Sequence, residues 1–193
     1  MLLFVVANKT TTAANAILLQ YMAPVITAFL GAWLLREKVR PEHWGAMVCV
    51  MAGMVVLFMD KLGGGQLFGN ILAICSAFTF SLYFIFMRMQ KEGSPLESTL
   101  LSHLLTALIG LVVTLFLPWP VLTPQAIGAV AALGVVQIGV SAILFAYGIK
   151  HVTAVSANLI AVIEPVFNPV WVFLIIGEAP SVNALVGGGM ILL

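Results

Sequence analysis

Glu164 is the one carboxylate that falls inside an apolar span of this 193-residue chain, in the run Ile-Glu-Pro-Val-Phe-Asn-Pro-Val-Trp. A charge at the centre of a membrane helix costs about 2.5–3.5 kcal/mol on insertion scales, so such a group faces a cavity or a partner rather than lipid. Two chemistries suit it: binding a substrate cation, or exchanging a coupling proton. The plainer alternative is a glutamate that stays protonated and bonds a backbone carbonyl freed beside Pro165. Pro165 and Pro169 cannot donate to the carbonyls four residues back, so the helix that holds them bends or opens. Asn168 and Trp171 follow Glu164 at i+4 and i+7, on one helical face. Carboxylate, amide and indole in that order could hold an ammonium, the indole by a cation–π contact. Asn168 as an interhelical hydrogen-bonder and Trp171 as an interfacial anchor is the competing reading, slightly preferred for Trp171.

Other polar residues are weaker candidates. Gln20, Pro24 and Thr27 share a face, with Tyr21 beside them. Gln137 and Ser141, four apart in one helix, are better cavity candidates than His103, with helix–helix bonding as the alternative. Tyr83 is singled out from a serine- and threonine-bearing stretch whose hydroxyls would bond their own backbone. His103 reads as a local hydrogen-bonder, Glu37 and Glu178 as structural closers of their helices, and Cys49 and Cys75 as buried small hydrophobes. No His/Cys spacing suggests a metal site, no cofactor is implied, and no G-x-x-x-x-G-K-[ST] loop is present to bind ATP. An intramembrane enzyme would need a His/Glu zinc pair, a serine–histidine pair or two membrane aspartates. The sole aspartate, Asp60, lies outside the spans.

The elements that must position these residues are membrane helices. The chain is 62% hydrophobic and 8% charged, with mean hydropathy +1.16, whereas soluble domains carry about 25% charged residues. A net charge of +1 without a basic patch gives no basis for nucleic-acid binding. Residues 10–35, 45–59, 62–87 and 98–149 contain no Lys, Arg, Asp or Glu. The last run is too long for one span and is divided by Pro118-Trp119-Pro120 and Pro124. Helices are predicted over 11–35, 43–59, 69–88, 97–117, 126–149, 153–176 and 182–193, with the first residues ending an earlier one.

Two of these helices repeat one another. Residues 9–37 and 150–178, offset by 141, share Lys9/Lys150, Thr12/Thr153, Ala13/Ala154, Ala16/Ala157, Leu18/Leu159, Pro24/Pro165, Val25/Val166 and Glu37/Glu178. A repeated, proline-broken apolar segment points to a transporter's substrate site. The copies lie five spans apart, and an odd number inverts the second. Where the second reads Glu164-Pro165 the first reads Ala23-Pro24, a divergence that suits one asymmetric site. With loops 36–42, 89–96 and 150–152 cytoplasmic, the inside holds Arg36, Lys38, Arg40, Arg88, Lys91 and Lys150 and the outside only Lys9 and Lys61.

The alanine- and threonine-rich helix starts (TTTAANA, TAVSANL), the central prolines (APV, EPV) and the closing glutamates (LLRE, IIGE) occur twice in order. Each is followed by a glycine-containing helix (HWGAMVCVMAG, ALVGGGMILL). The chain thereby resembles the drug/metabolite transporter superfamily, specifically its EamA-like family. The resemblance implies an all-α polytopic bundle, an inverted repeat of five-helix units. The first unit would be truncated here, missing two helices and most of a third: residues 1–60 are its C-terminal part, 61–68 an outside loop and 69–193 the second unit. It further implies export or import of small metabolites such as amino acids, amines or drugs by alternating access. A secondary exporter of the plasma membrane with a midplane site between the two repeats is expected, with a proton at Glu164 as an option for coupling. Carriage of phosphorylated or nucleotide-linked sugars is disfavoured, since Arg88 and Lys150 sit at span ends. A non-transporting membrane subunit is the other alternative. Gly45, Gly53, Gly187, Gly188 and Gly189 allow close backbone packing, either within the bundle or in a homodimer.

Overall fold

The computed structural model describes residues 2–63, 66–116, 123–177 and 179–192. Pro118, Trp119, Pro120 and Glu178 lie outside them. Among the described residues every regular element is helical. In chain order these are α1 (Leu2–Thr10), α2 (Ala13–Gln20), α3 (Ala23–Leu34), α4 (Pro41–Phe58) with a 3-10 turn at Met59–Lys61, α5 (Leu67–Met89) and α6 (Pro95–Thr114). Then come α7 (Pro124–Ala132), a π-helical stretch (Leu133–Val140), α8 (Ser141–Gly148), α9 (Ala154–Ala161), α10 (Ile163–Ile176) and α11 (Val182–Ile191). Among the described residues six stretches are long and apolar enough to cross a membrane: Ala13–Leu34, Pro41–Phe58, Leu67–Met89, Pro95–Thr114, Pro124–Gly148 and Ala154–Ile175. This is a multi-pass helical membrane protein.

Three predicted helices are not continuous. The helix expected over 11–35 is two, α2 and α3, and that over 153–176 is α9 and α10. Both breaks come just ahead of the prolines. Pro24 and Pro165 remove the N–H that would reach the carbonyls of Gln20 and Ala161, and those two carbonyls close α2 and α9. Each proline then sits in the first turn of the next helix, where a missing donor costs nothing. The helix predicted over 126–149 keeps its course but widens into a π segment at its middle, around Gly134, Gln137 and Gly139. No proline announces that change.

The helix starts repeat along with the sequence. Thr12 and Thr153 hold extended N-cap conformations, and their hydroxyls accept from the amides of Asn15 and Ser156 at 3.2 Å in both cases. Glu37, read from the sequence as a structural closer of its helix, accepts from the Ala154 amide at 3.0 Å. The last residues of the first copy thus satisfy an orphan donor at the start of the second.

Contacts divide the chain into two compact units, Met1–Ile85 with Thr153–Leu193, and Phe86–Val152. In the first unit α4 lies along α11 at backbone contact. A methyl added at Gly53 would stand 2.7 Å from the Gly187 carbonyl oxygen, and one at Gly187 would meet the Gly53 carbonyl at 2.5 Å. Gly45 and Gly189 meet nothing. The buried cores here are small: Ala28, Met47 and Val155 join α3, α4 and α9, while Val50, Met54 and Val162 join α4 to the α9–α10 break. Ser81 of α5 donates to the carbonyls of Ala23 (2.9 Å) and Ala77 (2.8 Å), pinning the start of α3.

In the second unit Arg88 donates to the carbonyls of Ile149 (2.9 Å) and Lys150 (2.7 Å), and Lys150 to that of Gly93 (3.0 Å). Its helices expose apolar side chains such as Leu104, Val130 and Leu144, the surface a lipid-facing bundle presents.

Candidate functional site

A cavity of about 500 Å³ opens in the first unit between α2 and α10, at the end that carries Asp60. Ile17 of α2 forms one wall, and Leu57 and Phe58 at the end of α4 another. Pro165, Asn168, Pro169 and Val172 of α10 form the third, and Ala179, Pro180, Ser181 and Ala184 complete the rim. The α10 residues follow i, i+3, i+4, i+7 spacing, so one face of that helix is presented. The break before Pro165 places this face, because α10 leaves Val162 as a new helix with its own direction. The wall is mostly apolar. Its polar groups are Asp60, Asn168 and Ser181. Ser181 caps α11 by accepting from the Ala184 amide, and Asp60 accepts from the side-chain amide of Asn183 at 2.7 Å. Among the described residues the Asn168 side chain has no hydrogen-bond partner, which leaves it available to a ligand.

The predicted polar wall and the cavity face coincide at Asn168 alone. At about 100° per residue the set Glu164, Asn168, Trp171 is centred roughly a quarter-turn from the set Pro165, Asn168, Pro169, Val172. Glu164 is exposed in the first turn of α10, at the positive end of its dipole, and Trp171 is 56% exposed; neither lines the cavity. Glu164 lies within electrostatic reach of Tyr21, the residue that ends α2. Tyr21 also packs against the Val50–Met54–Val162 cluster, so the two breaks meet there. Gln20 is half-buried at the end of α2, and Pro24 is fully buried. Tyr83 is half-buried, with its ring edge-to-face with Phe84.

Gln137 and Ser141 belong to the second unit and are exposed there, Gln137 within the π segment and Ser141 at the start of α8. His103 bonds the Thr99 carbonyl one turn back. Cys75 is exposed rather than buried, and Cys49 is half-buried.

Sequence reasoning missed Asn158. It is fully buried in α9, and its amide donates to the hydroxyl of Thr27 in α3 at 2.7 Å. The signal was present: an asparagine inside an apolar helix, aligned with Ile17 of the other copy. The 141-residue offset also pairs Thr27 with Asn168. The bonded pair Thr27–Asn158 and the unbonded pair Ile17–Asn168 are therefore counterparts. The first closes α3 onto α9 towards the Arg36–Arg40 end, with Glu37–Ala154 and His43–Ser156 (3.2 Å) beside it. The second flanks the cavity at the opposite end.

The profile of the EamA-like transporter family matches residues 1–59 and 67–193. An uncharacterized transporter of Archaeoglobus fulgidus is 29% identical over 194 residues, 98% of this chain and 68% of that protein. One of Clostridium kluyveri is 27% identical, over 92% of this chain and 60% of its own length. The aromatic amino acid exporter YddG of Ancylobacter novellus is 29% identical, over 91% of this chain and 63% of that protein. A solved crystal structure at 26% identity superposes with a TM-score of 0.84 over 99% of this chain and 68% of its own. The chain thus spans about 60–68% of the length of the proteins it matches. The family profile covers nearly every residue, and six membrane-length apolar helices with two proline-broken copies accompany it: the chain belongs to the EamA-like transporter family.

Proposed function

We propose that this chain carries the transport path of a secondary transporter that exports small metabolites such as amino acids, amines or drugs. It works by alternating access, with a midplane site between the two repeat copies. The observation that carries the reading is the asymmetry of the two counterpart pairs. Thr27–Asn158 holds one end shut through a buried hydrogen bond, while Ile17 and Asn168 flank an open cavity at the other. Exchange of these arrangements between the inverted copies would move access from one face to the other. The excess of basic residues at the closed end supports taking that end as cytoplasmic and the cavity as facing outside, with the plasma membrane as the proposed location. Export is supported by the name of one relative, an aromatic amino acid exporter.

The carrier of phosphorylated or nucleotide-linked sugars is the poorer fit. A phosphate needs Arg or Lys at the site, and the described residues lining the cavity include neither. Arg88 and Lys150 are engaged with backbone carbonyls.

Glu164, beside Tyr21 at the meeting of the breaks, is the proposed proton-coupling group. In proteoliposomes, Glu164→Gln is expected to leave counterflow of substrate intact and abolish acceleration by a pH gradient. Unchanged pH-driven flux in that variant would refute the coupling role, and the absence of any counterflow by the wild-type protein would refute the transport reading.

A further inference from the structure

We propose that Asp60 makes the cavity mouth a capture site for organic cations, selecting ligands with an ammonium group and an apolar body. This rests on the reading of the cavity as the outer vestibule of the transport path. Asp60 is the one residue of fixed charge among the described residues lining the cavity; none of the others is Lys, Arg, His or Glu. Its carboxylate is held rather than free to swing, because Asn183 at the start of α11 donates to Oδ2 at 2.7 Å. A neutral amide orients the group without cancelling its charge, and the carboxylate keeps acceptor capacity for a second donor.

The distribution of groups matches an amphipathic cation. Asp60 stands at the exposed mouth and Asn168 lies on α10, with Phe58, Val172 and the prolines lining the wall around them. An ammonium at Asp60 would leave its hydrocarbon part against that apolar wall, and a remaining polar substituent could reach the Asn168 amide. An anionic ligand of the same shape meets repulsion at the mouth and finds no positive side chain among the described lining residues. Because Asp60 is exposed, the attraction is of surface strength and salt-sensitive.

The test is isothermal titration of the protein in zwitterionic-lipid nanodiscs with phenethyltrimethylammonium, and with 3-phenylpropionate as the anion of similar shape. The wild type is expected to bind the cation more tightly than the anion, with an affinity that falls as salt rises. Asp60→Asn, an isosteric change at an exposed site, is expected to weaken the cation roughly fivefold and to flatten its salt dependence. Asp60→Glu is expected to retain both. Ile17→Trp, which fills the cavity, is expected to remove binding of either ion. If Asp60→Asn leaves cation affinity unchanged while Ile17→Trp removes it, the capture role falls and the vestibule stands. If neither substitution matters, or the wild type binds neither ion or prefers the anion, the proposal is overturned; indifference to Ile17→Trp removes the vestibule as well.

Discussion

Replacing Asn158 by leucine removes the donor from the buried Thr27–Asn158 bond and leaves the Thr27 hydroxyl without its partner at 2.7 Å. Interhelical hydrogen bonds in membranes average about 0.6 kcal/mol and reach about 1.7. Opening of the α3–α9 contact should therefore become about 3- to 20-fold more frequent. Thr27→Val should act in the same direction. The double variant Thr27→Val/Asn158→Leu replaces both partners by apolar groups of similar shape, which is close to neutral when neither is left unpaired. It should open less often than either single variant. Val155, buried in the core that joins α3, α4 and α9, is the reporter position. A Val155→Cys protein with Cys49 and Cys75 replaced by alanine would be exposed to a membrane-impermeant maleimide from the Arg36–Arg40 face. Labelling rates should rise 3- to 20-fold in each single variant and fall back towards the parent in the double. Unchanged rates in both single variants, or strictly additive increases in the double, would refute the reasoning.

Glu37→Gln removes the charge that faces the first amide of α9, an interaction of about 0.3–1 kcal/mol at a helix N-terminus. The same Val155→Cys labelling should rise about 2- to 5-fold. Gly187→Ala puts a methyl 2.5 Å from the Gly53 carbonyl and the Leu57 amide, so α4 and α11 must separate. A loss of about 1–3 kcal/mol is expected in thermal unfolding in detergent, with Gly189→Ala, which meets nothing, as the silent comparison.

The repeat was the most legible feature of the chain, and it carried local structure with it. Thr12 and Thr153 cap their helices alike because a threonine ahead of an alanine-rich start offers its hydroxyl to the same orphan amide in both copies. The prolines marked where donors are missing. They did not say whether the helix bends or breaks, since that depends on what the freed carbonyls and the following turn meet. Here the hydroxyl of Ser81 in α5 holds the start of α3. The family and the helical membrane class could likewise be read from residue pattern.

The cavity could not. Its position depends on Thr27 and Asn158 being bonded while their counterparts Asn168 and Ile17 line a cavity, a difference that two aligned sequences do not display. Helical spacing joined Asn168 to Glu164 and Trp171, but any residue on a helix belongs to several overlapping faces. Packing of α10 near α11 and the end of α4 chose the face of Pro165 and Val172 instead. The π segment around Gln137 was equally silent, having no breaker to announce it. Asp60 looked like an ordinary loop carboxylate until the fold brought Asn183 to it.

The most direct test of the central claim places a cysteine at the cavity's polar wall. In reconstituted Asn168→Cys protein lacking Cys49 and Cys75, an impermeant maleimide applied at the Asp60 face should react fully and stop substrate counterflow, and saturating substrate should slow the reaction. Undiminished counterflow after complete modification would contradict the account, because the wall that α10 presents would then lie off the path.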